Sequence, residues 1–163
     1  MSLHLLPPQP LTPDHRLDDF SCGETALDEW LKRRGLVNQV SGAGRTFVVT
    51  DVNRRVFGYY SLASGAVARK GATGVVRRNM PEPIPVMVLG RLAVDRRAQG
   101  MKCGSALVKD AVERTLSVSQ NVGVRALLVH ALNDSARGFY EHFGFQESPL
   151  DRMTLMLPLG AVL

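Results

Sequence analysis

The stretch that most constrains this chain is VDRRAQGMKCGSALVKDA, Val94 to Ala111. It leaves an apolar run, passes two glycines and several cations, and enters residues whose apolar members recur at helical spacing. A strand that turns tightly into a helix leaves the first N–H groups of that helix unpaired, and the peptide dipoles add partial positive charge there. Such a turn suits an anion, and glycines let the backbone approach a phosphate closely. The spacing matches neither the Gly-x-x-x-x-Gly-Lys-Ser/Thr loop nor Gly-x-Gly-x-x-Gly, and an empty turn fits almost as well. The rest of the chain has to decide.

Around this turn the pattern alternates between strand and helix. GETALDEWLKRRG places Leu27, Trp30 and Leu31 on one helical face, with acids early and cations late. Gly35 either ends that helix or lets it run on to about Val40. RTFVVTD and RRVFGYYSLASGAV read as strands joined near Val52 and Asn53, and ARKGATGVVRRNMPEPIP as a loop. VMVLGRLAVD is a buried strand carrying one arginine, Arg91. In the following helix Cys103, Leu107, Val108, Ala111, Val112 and Leu116 form the apolar face, with Lys109, Asp110, Glu113 and Ser117 on the wet one. VRALLVHAL is a buried strand, NDSARGFYEHFGF a helix capped by Asn133 and Asp134 and stopped at Gly144, and RMTLMLPL a closing strand. The expected class is mixed α/β with a central sheet flanked by helices.

The 163 residues fit one domain, expected to span 1–163, and 45% of them are apolar. No run approaches the roughly 18 apolar residues of a membrane helix. The opening MSLHLLPPQPLTP lacks the features of a signal peptide, so a cytoplasmic protein with no membrane partner is expected. Cys22 and Cys103 show no metal-ligand spacing; free thiols and no metal are expected. The net charge of +5 suits a phosphate-bearing partner, although a merely solvated surface has the same signature.

The second informative stretch is ALNDSARGFYEHFGF. Phe139, Phe143 and Phe145 read as core-packing aromatics, while Tyr140 carries a hydroxyl that needs a partner if buried. In order and spacing the two stretches resemble the GNAT family of acetyl-CoA-dependent N-acetyltransferases. The family's Gln/Arg-x-x-Gly-x-Gly/Ala loop falls on Gln99, Gly100, Met101, Lys102, Cys103 and Gly104, with Lys102 where the family has glycine. Its Asn-x-x-Ala-x-x-x-Tyr-x-x-x-Gly-Phe motif falls on Asn133, Ala136, Tyr140, Gly144 and Phe145. The resemblance implies the GNAT fold, with a mixed, mostly antiparallel sheet. It implies acetyl-CoA as donor, bound by the 99–104 loop with Ser105, by the Ala93 and Val94 amides, and by Asn133 and Phe139. Tyr140 is then the general acid to the CoA thiolate. Lys102 either crowds the pyrophosphate, adds an amine contact, or keeps negative φ and faces solvent; the loop amides are backbone and survive the substitution.

FSCGETALDEWLKRRG, GYYSLASG and RRNMPEPIPVMVLGRLAVD resemble more narrowly the toxin subfamily of these enzymes. Members acetylate the α-amino group of the amino acid on aminoacyl-tRNA, block translation, are neutralised by a ribbon-helix-helix antitoxin, and commonly form homodimers. An α-amine has a pKa near 8, lowered further by esterification at the carboxyl, so much of it is neutral at pH 7 and no strong general base is required. His130, His142 and Glu82 are the weak candidates for one. Lys32, Arg33, Arg77, Arg78 and Arg91 are the candidate tRNA contacts. Arg91 is the most pointed, because a charge within an apolar strand is costly unless paired or at the strand's mouth; its plain alternative is an ion pair with an acid. Two other readings stay open here: an acetyltransferase for a small amine or a protein N-terminus, and a non-catalytic domain that binds RNA or a partner, in which Lys102 marks a lost cofactor loop.

Overall fold

The helix over Leu27 and Trp30 passes straight through Gly35. In the computed structural model, which describes residues 3–161, α1 (Thr25–Trp30) continues as a π-helical turn (Leu31–Gly35) into α2 (Leu36–Ser41). Gly35 is buried, and a Cβ there would lie 3.1 Å from Leu11 Cδ2, so glycine serves close packing at this position. The stop comes at Gly42, whose φ of 82° forms a left-handed cap.

The strands are β1 (Gln9–Pro10), β2 (Arg45–Thr50), β3 (Val56–Val67), β4 (Ile84–Val94), β5 (Ala126–His130), β6 (Gln146–Glu147) and β7 (Thr154–Pro158). They make a seven-stranded sheet in the order β1-β2-β3-β4-β5-β7-β6. β1 with β2, β2 with β3, β5 with β7 and β6 with β7 are antiparallel. β4 and β5 are parallel, with Met87 opposite Leu127 and Leu89 opposite Val129. The expected mixed, mostly antiparallel sheet is what forms. The remaining helices are α3 (Gly74–Arg77), α4 (Cys103–Ser119) and α5 (Asp134–His142). None of the described helices is long and apolar enough to cross a membrane.

The chain divides into two compact units, Met1–Ala63 with Gly90–Ala111 and Ser64–Leu89 with Val112–Leu163. The first is built on Leu11, Leu17, Phe20, Leu31, Val48, Val56, Tyr59 and Ala93. The second is built on Ala72, Val76, Ile84, Val86, Ala126, Leu128 and Met156. Fully burying one such aliphatic side chain contributes about 1.5–3 kcal/mol.

Three expectations need correction. The glycine- and proline-rich loop after β3 contains α3, capped by Thr73, whose Oγ1 accepts the Val76 amide at 3.4 Å. The short strands β1 and β6 carry no alternating pattern and form because a longer neighbour supplies the ladder. Asp110 is not simply on a wet face, since it accepts a hydrogen bond from the buried Tyr60 hydroxyl.

Candidate active site

In the first unit the turn after β4 is pinned by Asp95, only 1% exposed. Its carboxylate accepts the Ser21 amide at 3.0 Å, the Arg97 amide at 2.9 Å and the Arg97 guanidinium at 2.9 and 3.0 Å. Burial works to raise this carboxyl, but the bonds from Arg97 and Ser21 outweigh it and hold it below the usual carboxylate range. Gln99 fastens the next part, its Nε2 donating to Val94 O at 3.0 Å and Cys22 O at 3.1 Å. The carboxamide therefore ties the loop to the end of β4.

The loop then takes two left-handed residues, Gly100 at φ 85° and Lys102 at φ 62°. Of the three readings of Lys102, the one with negative φ is thereby excluded. The lysine adopts the backbone that a glycine at this motif position favours. Lys102 O accepts the Ala106 amide at 3.1 Å, which starts α4. The first-turn amides of this 17-residue helix, Cys103, Gly104 and Ser105, have no helical carbonyl ahead of them. Gly100, Met101, Lys102 and Ser105 are exposed, and nothing lies within 4 Å of a Cβ built on Gly100. Alternating left-handed residues before a helix start form an open backbone cradle for an anion. The start of α4 sits tight on β3, where a Cβ at Gly58 would come within 3.0 Å of Cys103 Sγ. Ala93 is buried and Val94 half-buried at the end of β4.

In the second unit Asn133 caps α5, its Oδ1 accepting the Ala136 amide at 2.8 Å, and Gly144 at φ 94° ends it. Phe145 is buried, whereas Phe139 and Phe143 are only half-buried. Tyr140 is 6% exposed and packs against Phe139 at 5.2 Å and Phe145 at 5.5 Å between centroids. Burial raises its phenol above the ordinary value. Among the described residues its hydroxyl has no hydrogen-bond partner. The other two tyrosines differ: Tyr59 donates to Leu27 O at 2.7 Å, and Tyr60 to Asp110.

Glu82 is occupied, its carboxylate accepting the Arg69 amide at 3.1 Å. His142 is exposed on α5, its ring edge-on to Phe143. His130 is exposed at the end of β5, with Nδ1 2.9 Å from Thr154 Oγ1.

Of the candidate cations, Lys32, Arg33 and Arg91 belong to the first unit and Arg77 and Arg78 to the second. Arg33 pairs with Glu29 at 2.7 Å. Lys32, Arg77, Arg78 and Arg91 are exposed, and their side chains make no hydrogen bond or ion pair among the described residues. Arg91 is not salt-bridged; its guanidinium lies over Trp30, 4.5 Å from the ring centroid. The anchoring role of Asp95 and this arginine–tryptophan pair both escape sequence reading, because their partners lie far away along the chain.

The acetyltransferase (GNAT) domain matches residues 43–147, nearly two thirds of the chain. The chain belongs to the GNAT acetyltransferase family. A relative described as a tRNA-acetylating toxin, from Mycobacterium tuberculosis (strain ATCC 25618 / H37Rv), is 50% identical over 150 residues, covering 92% of this chain and 90% of that protein. Among solved structures, AtaT complexed with acetyl-methionyl-tRNAfMet superposes with a TM-score of 0.90 at 31% identity, over 98% of this chain and 97% of that one. A tyrosine-to-phenylalanine mutant of AtaT bound to the C-terminus of the antitoxin AtaR and acetyl-CoA gives a TM-score of 0.82 at 30% identity, over 98% and 96%. The acetyltransferase expectation from the two motifs is thereby met.

Proposed function

We propose that this protein is a toxin that transfers an acetyl group from acetyl-CoA to the α-amino group of the amino acid on aminoacyl-tRNA and so blocks translation. It acts in the cytoplasm, as a homodimer in which residues 1–163 form one acetyltransferase domain, and a ribbon-helix-helix antitoxin neutralises it. The half-identical tRNA-acetylating relative and the tRNA, acetyl-CoA and antitoxin complexes of AtaT support this reading.

The observation that carries it is the Tyr140 hydroxyl, sheltered, protonated and without a partner among the described residues. The ring is buried but the unpartnered oxygen itself is not among the buried polar atoms, so the hydroxyl is open to a ligand. Tyr140 Oη keeps its proton through neutral pH and gives it to the departing sulfur as general acid.

The residues at the loop fit the donor. The loop from Gln99 to Ser105, exposed except at Cys103 and Gly104 and with left-handed Gly100 and Lys102, offers its amides other than that of Met101 to the pyrophosphate. The Lys102 backbone keeps this cradle despite the missing glycine, which removes the reason for reading the domain as non-catalytic. The amides of Ala93 and Val94 align the pantetheine, with one of them polarising the carbonyl, and Asn133 and Phe139 border the donor from α5. When bound, acetyl-CoA supplies an activated acetyl thioester. Lys32, Arg33, Arg77 and Arg78 position the acceptor stem through its phosphates, and Arg91 contacts the same tRNA.

The test incubates purified protein with labelled acetyl-CoA and a total aminoacyl-tRNA pool, then identifies the released amino acids by mass spectrometry. An N-acetylated amino acid is expected, and it names the tRNA. Absence of transfer by protein shown to bind acetyl-CoA overturns the reading in favour of a small-amine or protein acceptor.

A further inference from the structure

Arg91 sits on a column of rings. Trp30 lies beneath its guanidinium at 4.5 Å, and Tyr59 stacks beneath Trp30 at 5.9 Å with only 7° between the planes. Phe20 closes the column edge-on to Tyr59 at 5.5 Å. The lower rings cannot shift easily: Tyr59 and Phe20 are buried in the first core, and the Tyr59 hydroxyl is tied to Leu27 O at 2.7 Å. At the top, Arg91 is exposed and makes no ion pair among the described residues.

We propose that the outer face of the Arg91 guanidinium is a stacking subsite for an unpaired nucleobase, that of the single-stranded 3′ end of the acceptor tRNA; this rests on the aminoacyl-tRNA reading above. A phosphate contact needs only a charge on a flexible stem. Here the cation is held over an aromatic ring and is exposed. Unpaired bases are recognised by stacking on aromatic rings and arginine planes, whereas paired bases keep their faces hidden in the helix. The segment that carries the amino acid is the unpaired end, so this subsite grips the strand that delivers the amine.

Trp30 is the single tryptophan of the chain, so its emission reports on this column alone. The full-length protein is titrated with intact tRNA and with tRNA trimmed of its unpaired 3′ nucleotides. Trp30 emission is followed, and binding is measured separately by anisotropy of labelled tRNA. Intact tRNA changes the emission and trimmed tRNA does not. Arg91→Lys, which keeps the charge and loses the plane, weakens binding of intact tRNA by roughly 10-fold or more and leaves trimmed tRNA unaffected. The proposal is overturned if Arg91→Lys binds intact tRNA like the wild type, or if emission stays constant while anisotropy shows intact tRNA bound. Failure of the wild type to bind either tRNA overturns the aminoacyl-tRNA reading itself.

Discussion

Gly100 and Lys102 stand two residues apart in the turn before α4, and both hold left-handed φ, 85° and 62°. For lysine this conformation costs about 1 kcal/mol that glycine does not incur. Glycine loses more chain entropy on folding, which offsets part of the gain. Lys102→Gly is therefore expected to stabilise the protein by up to about 1 kcal/mol. Acetyl-CoA affinity should stay within a few-fold, because the amides are unchanged. Thermal melts and calorimetry check both; a destabilised variant contradicts the backbone account.

Tyr140→Phe removes a hydroxyl that no described residue uses. No protein group loses its partner, so stability should change by less than about 0.5 kcal/mol. Turnover should fall about 100-fold to 10,000-fold if the phenol is the acid, with acetyl-CoA binding intact. Burial holds the phenol above its ordinary value of about 10, so its proton stays in place through pH 9. Comparing kcat and acetyl-CoA Kd between variant and wild type separates chemistry from binding. Equal turnover removes Tyr140 from the mechanism.

Asp95→Asn tests the anchor of the turn. Four hydrogen bonds converge on this carboxylate, and an amide cannot accept them all, so the variant should lose about 2 kcal/mol. A carboxyl whose folded pKa is lowered adds stability above its unfolded value of about 3.9 and forfeits it as pH falls through the folded value. The gap between wild type and variant should hence be full at pH 6 and shrink below pH 4. Urea melts across that range measure it; a gap that does not shrink on acidification contradicts the assignment.

What could be read along the chain was what is decided locally. Asn133 and Gly144 announce the ends of α5 because caps depend on the conformation and chemistry of one or two residues. The apolar face of α4 was legible for the same reason, and so was the position of Tyr140 on an amphipathic helix. Features that depend on distant partners were not. Arg91 meets Trp30, Asp95 meets Ser21, and two-residue β1 exists only against β2. The φ of Lys102 stayed hidden because residue type argues against it and the surrounding turn imposes it.

His130 provides a prediction about a proton. Thr154 Oγ1 donates to Asp151 Oδ2 at 3.0 Å, so toward His130 Nδ1, 2.9 Å away, the same oxygen must accept. Neutral His130 therefore carries its proton on Nδ1 and leaves Nε2 with a free lone pair. Nitrogen NMR of the neutral imidazole should show that tautomer in the wild type, and Thr154→Val should lose it. An Nε2–H signal in the wild type refutes the relay.

Cys103 begins α4, where the helix dipole favours a thiolate, yet burial pushes its thiol up to about 11. Cys22 is also raised to about 11, by burial and by Asp28. At neutral pH each is ionised in only about one molecule in ten thousand. Neither sulfur can compete as a nucleophile for the activated acyl group, so no acetylated enzyme should accumulate. Both substrates must then meet on the protein at once. The kinetics should be sequential, with initial-rate lines that intersect, and a trapped acyl-cysteine should be missing from the intact-mass spectrum.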